Sequence, residues 1–149
     1  MNPESLELIA RLITATLLGA AIGIEREIAR RYAGFRTFAL VSLGAALFVI
    51  AANDIAFKIF GREFADPTRI VGQIVLGIGF LGAGLIVFQQ QKVINLTTAA
   101  AIWVTAAIGA VSGFGAYDIA FATTVIALFV LVVLRWIEEK LGWRENEKL

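Results

Sequence analysis

The chain contains no cysteine and no histidine among its 149 residues. The first absence excludes disulfides, thiolate nucleophiles and sulfur-ligated metal centres. The second excludes imidazole as general base and as a transition-metal ligand. Without a nucleophile–base pattern the chain reads as non-enzymatic, and no cofactor is implied. Charge is scarce as well, at 17% of residues, and 13 Lys/Arg nearly cancel 12 Asp/Glu. That leaves no basic surface for nucleic acid. What remains is apolar: 59% of residues, with a mean hydropathy of +0.83. Repeated apolar runs of this kind indicate an integral membrane protein whose first partner is the lipid bilayer. Glu4 and Glu7 stand where a cleavable signal would carry positive charge, so the first run is expected to remain as an anchor.

Spacing predicts an all-α bundle of five transmembrane helices over residues 8–24, 37–56, 69–88, 98–112 and 119–136, forming one domain over 1–149 with no soluble second domain. The third is the expected centre. It holds five of the fourteen glycines, each a poor helix former in water. On a helical wheel Gly72, Gly79 and Ala83 form one strip with Gly82 beside it, while Gly77, Gly84 and Gln73 form a second. Ile70, Val71, Ile74, Ile78, Leu81, Leu85 and Phe88 fill the opposite arc. Small residues let helix backbones approach in a membrane, so the glycine arc is expected inside the bundle and the bulky arc against lipid.

Two other helices carry small-residue faces: Gly19 and Gly23 in the first, and Ala101, Thr105, Gly109 and Gly113 in the fourth. The fourth, with Trp103 alone among small neighbours, reads either as a buried core helix or as a short helix that lines a polar cavity or stops short of one face. The fifth is bulky all round and reads as peripheral, with Trp136 and Trp143 suited to an interfacial aromatic belt. Asp66 followed by Pro67 is an N-cap and first-turn signal for the third helix.

With the N-terminus outside, the inner segments hold Arg26, Arg30, Arg31, Arg36, Lys92, Arg135, Lys140, Arg144 and Lys148. The outer segments hold only Arg11, Lys58, Arg62 and Arg69. The positive-inside rule therefore predicts N-out and C-in. Two polar groups are candidates for function. On the inner side Glu25, Arg26, Glu27, Arg30, Arg31, Arg36 and Thr37 suggest either topological anchoring or a buried Glu–Arg network clamping helices 1 and 2, with Arg forks able to recognise an anionic partner. On the outer side Asp54, Glu63, Asp66 and Asp118 are weak candidates for a Mg²⁺ site, because Mg²⁺ favours carboxylate oxygens and retained waters. Ser42, Gln73, Thr105 and Glu25 are the polar groups at or near membrane depth. Gln73 must find partners there, and a helix-to-helix hydrogen bond is the expected one.

Several stretches together resemble the membrane domain of the MgtC/SapB family: Gly23 to Glu27, Ala33 to Ala45, Asp66 to Ile70 (with Arg69), Gly77 to Gly84, and Leu96 to Gly109 (with Thr97 and Thr98). They follow family order and cover most of the chain. The resemblance implies a five-helix inner-membrane protein of bacteria or archaea, associated with low-magnesium growth, virulence and survival in phagocytes. It implies regulation of other membrane machines, notably the F-type ATP synthase, or, in older naming, magnesium transport. A homo-oligomer, such as a dimer, is also expected. Phe38 stands where many members carry His, and the chain is expected to lack the cytoplasmic regulatory domain of longer members.

Overall fold

The computed structural model describes residues 3–60, 67–89 and 92–142. It contains five helices long and apolar enough to cross a membrane. Helix α1 (Pro3–Ile28) runs to a charged turn, and α2 (Phe35–Ile50) returns through a π-helical turn (Ala51–Ile55) into α3 (Ala56–Phe60). Helix α4 (Pro67–Leu85) leads into a hairpin, β1 (Val87–Gln89) paired antiparallel with β2 (Lys92–Ile94). Helix α5 (Leu96–Gly113) follows. The last span comprises α6 (Tyr117–Phe129), a second π turn (Val130–Leu134) and α7 (Arg135–Lys140).

Expected and observed spans coincide in number and order, but the ends differ. The first, fourth and fifth helices run longer than their apolar cores, because backbone bonding continues into flanking polar residues. The third ends earlier, at Leu85, and Val87–Gln89 leaves the helix for the hairpin. Valines and an aromatic flanking a turn suit a strand pair better than a last helical turn. Asp66, Glu63 and Arg62 lie outside the described residues, and with them the expected N-cap; so does Trp143 of the expected aromatic belt.

The larger correction concerns the centre. None of the α4 span is buried, whereas most of α5 is. The core gathers Ile22, Phe38, Ile102, Ile108 and Ala120. Helix α2 lies between α1 and α5, and glycines bring all three backbones together. A Cβ at Gly19 would fall 2.6 Å from the Phe38 carbonyl oxygen, and one at Gly113 would fall 2.8 Å from that of Ala46. At Gly109 it would collide with the Ser42 carbonyl. Ser42 is thus the crossing point, touched from one side by Gly19 and from the other by Gly109.

Helix α4 is also turned the other way from expectation. Its half-buried residues are Ile70, Ile74, Ile78, Gly82 and Leu85, and Ile78 and Leu85 pack against the core. Of its five glycines only Gly82 faces a neighbour, with a Cβ there in ordinary contact (3.8 Å) with Ala99. Gly72, Gly77, Gly79 and Gly84 face open space. The physical reason lies in α5, whose surface is rich in alanine. The isoleucines of α4 fill the space beside that alanine surface to the density of a packed interior.

Candidate functional site

Helices α1, α2, α4, α5 and α6–α7 alternate in direction, so charged side chains collect at two ends of the bundle. At the end where α1 starts, Arg11 is the hub. Its Nη1 donates to Asp54 Oδ2 (3.3 Å) and to the Gly113 carbonyl oxygen (3.1 Å), and its Nη2 pairs with Glu7. It thereby ties α1 to the first π turn and to the end of α5. Lys58 pairs with Glu4 beside it, and a cavity of about 280 Å³ lies among Glu4, Glu7, Arg11, Asn53, Asp54 and Lys58. Asp54 is therefore held by a guanidinium, and Asp118 is exposed at the start of α6. Among the described residues no three carboxylates gather closely enough to hold a metal ion.

At the opposite end the charges go inside. Glu25 is 7% exposed and Arg26 3%. Arg135 Nη1 donates to Glu25 Oε1 at 2.8 Å, Arg26 Nη1 lies 3.5 Å from Glu25 Oε2, and Arg26 Nη2 donates to Thr98 Oγ1 at 2.9 Å. This is a buried Glu–Arg network, but it joins α1 to α5 and α7 rather than helix 1 to helix 2. Arg36 and Thr37 stand outside it, exposed on the first turn of α2. Glu27 serves the backbone instead. Its Oε2 accepts the Phe35 N–H (3.2 Å) and satisfies one orphan donor at the start of α2.

The remaining polar candidates separate. Thr105 donates to the Ala101 carbonyl within its own helix (2.8 Å), as Ser112 and Thr124 do in theirs. Ser42 is buried with no partner for its hydroxyl. Thr97 and Arg69 are exposed, and Trp103 is half exposed on the outer side of α5. Among the described residues Gln73 makes no hydrogen bond with another helix. It lines an apolar groove of about 580 Å³ between α2 and α4, with Leu40, Gly44, Phe48, Ile74 and Gly77. Leu76 and Phe80 stand exposed on the same outward side of α4 as the glycines.

Sequence patterns alone do not single out two of the participants. Arg135 supplies the shortest contact to Glu25; its one signal is a cation ending an apolar helix at the same level as the inner carboxylate. Asn95 adopts a left-handed backbone (φ 69°) and its Nδ2 donates to the Leu85 carbonyl (3.1 Å), closing α4 and starting α5. Asn is among the few residues that tolerate that conformation.

Comparison with known proteins bears on what this arrangement serves. The model of the MgtC family matches residues 12–140. The chain is 44% identical over 129 residues to the protein named "Putative magnesium transporter YhiD" of Escherichia coli (strain K12), covering 85% of this chain and 60% of that one. It is 44% identical over 127 residues to "Protein MgtC" of Salmonella typhimurium (strain LT2), covering 85% and 52%, and 34% identical over 139 residues to "Protein SapB" of Bacillus subtilis (strain 168), covering 91% and 60%. The chain thus spans between half and three-fifths of the length of these relatives. No solved structure matches.

Proposed function

Because the chain belongs to the MgtC family, we propose that this multi-pass membrane protein serves magnesium homeostasis, low-magnesium growth and virulence as a non-enzymatic regulator of the prokaryotic inner membrane. It acts by helix-to-helix contact with a second copy or with another membrane complex such as the F-type ATP synthase. The observation that carries this reading is the outward glycine face of α4. A Cβ at Gly72, Gly77, Gly79 or Gly84 would meet nothing within 4 Å among the described residues, although glycine in a helix has a cost and its use in membranes is close backbone approach. Gln73 on the same helix would gain there the partner that an amide in lipid needs.

Gly79→Leu tests it. The expected result is an intact, equally stable bundle that no longer cross-links to its own copy or to a partner complex. Unchanged cross-linking in native membranes would sink the contact role of this face. The name of YhiD and the Gln73 groove favour a second reading, a homo-oligomeric channel or carrier for Mg²⁺ or another small solute. Flux of Mg²⁺ into liposomes that depends on the protein would select it over the regulator.

A further inference from the structure

The Glu25 network holds more positive charge than it neutralises. Arg26 and Arg135 both turn to Glu25, and Arg31, five residues beyond Arg26, adds a third cation at this end of the bundle. Glu25 is the one buried carboxylate among the described residues, and Glu139 reaches Arg135 only from the exposed rim, at 4.0 Å. The Nε atoms of Arg26 and Arg31 are both buried without a hydrogen-bond partner. A buried donor without an acceptor is unfavourable, more so when charged. Glu25 Oε2 is also buried without a hydrogen-bond partner, 3.5 Å from Arg26 Nη1, so the one buried carboxylate faces three arginines without satisfying either Nε.

Directly on the membrane side of this cluster, an apolar groove of about 360 Å³ opens between α5 and α6. Ile22 forms part of its lining, with Ala101, Val104, Thr123, Ala127 and Leu131. The groove lining lies about one helical turn from the cluster on three helices. Ile22 precedes Arg26 by four residues, Leu131 precedes Arg135 by four, and Ala101 follows Thr98 by three. The π turn Val130–Leu134 lies at the junction; such widened turns recur where helices bear function.

We propose that this groove binds an anionic phospholipid, with an acyl chain lying between α5 and α6 and the phosphate held by Arg26, Arg31 and Arg135. The inference is independent of the α4 contacts. Charge complementarity selects the occupant: guanidinium forks match phosphate oxygens, basic pockets between membrane helices suit anionic headgroups, and a zwitterionic headgroup would bring a cation of its own to a cluster already in positive excess.

The whole protein, reconstituted in nanodiscs of phosphatidylcholine with phosphatidylglycerol, tests the assignment by native mass spectrometry of the lipids it retains. The wild type is expected to retain phosphatidylglycerol in preference. Arg31→Gln removes one interfacial cation and should weaken that preference about fivefold, and Arg31→Lys should restore part of it. Ala127→Phe fills the groove and should also reduce retention while leaving every arginine in place. Equal retention of the two lipids by the wild type, a reading that needs no variant, would overturn the proposal. So would displacement of phosphatidylglycerol by inorganic phosphate together with no effect of Ala127→Phe, which would mark a site for free anions.

Discussion

At the scale of single residues, the side chains that matter most are those with no room or no substitute. Gly109 has no room, because a methyl group there would meet the Ser42 backbone. Gly109→Ala is therefore expected to destabilise the bundle by about 1–3 kcal/mol, the usual range for overpacking, read from thermal unfolding in detergent. Gly79→Ala, facing open space, should change the same midpoint little, within the about 1 kcal/mol that separates the two residues in a helix. Glu25 has no substitute, since both Arg26 and Arg135 depend on its charge. Glu25→Gln should cost about 3 kcal/mol or more, because it strands the buried Arg26 and the half-buried Arg135, whereas Arg36→Ala on the exposed first turn of α2 should leave stability unchanged. Ser42 makes the opposite case. Its hydroxyl is buried and unpartnered, so Ser42→Ala is expected to be neutral or stabilising, and a large loss on that change would reveal a hydrogen bond the packing conceals.

At the scale of elements, the sequence shows which helices carry small residues but not which way they point. The glycines of α1 and α5 recur four residues apart, and those of α4 include two pairs seven apart, Gly72 with Gly79 and Gly77 with Gly84; either spacing makes a small-residue strip. In α1 and α5 they face α2, whereas in α4 only Gly82 meets a neighbour and a Cβ on the other four would enter open space. Spacing determines only that a face exists; whether that face meets the same chain or another molecule depends on which partner supplies bulk. The alanine-rich α5 needs the isoleucines of α4, which leaves the glycines outside. The second π turn, Val130–Leu134, could not be read from periodicity either, since one extra residue per turn leaves an apolar run apolar. Each of the two π turns sits beside an ion network: the first carries Asp54 towards Arg11, and the second precedes Arg135. An element-level prediction follows for the last span. Deleting Val132 should restore regular winding and rotate Arg135 away from Glu25, lowering thermal stability by an amount close to that of Arg135→Gln. Additive losses in the combined variant would show that the π turn does not serve this pair.

At the scale of the whole molecule, the two ends of the bundle differ in how they handle charge. One end pairs Arg11 and Lys58 with carboxylates at a cavity, and the other buries Glu25 beneath an excess of arginine. The arginine-rich end is expected to face the cytoplasm. The chain's lack of cysteine makes that easy to check, because any introduced thiol is unique. In intact cells Lys58→Cys should react with a membrane-impermeant maleimide, and Arg30→Cys should react only after permeabilisation. The reverse pattern would invert the topology.

Composition and hydropathy by themselves determined the class and the number and order of spans, because each span must be apolar whatever it packs against, and the family resemblance rested on the order of local motifs. The absence of His and Cys limited the chemistry in the same way, independently of how the chain folds. Tertiary structure decided the rest: that α5 rather than α4 lies at the centre, that Glu25 pairs with Arg135 across 110 residues, and that four of the five α4 glycines face open space. Those outcomes depend on the joint volume and charge of faces brought together from distant parts of the chain. No single helix contains that information, since packing is a property of pairs.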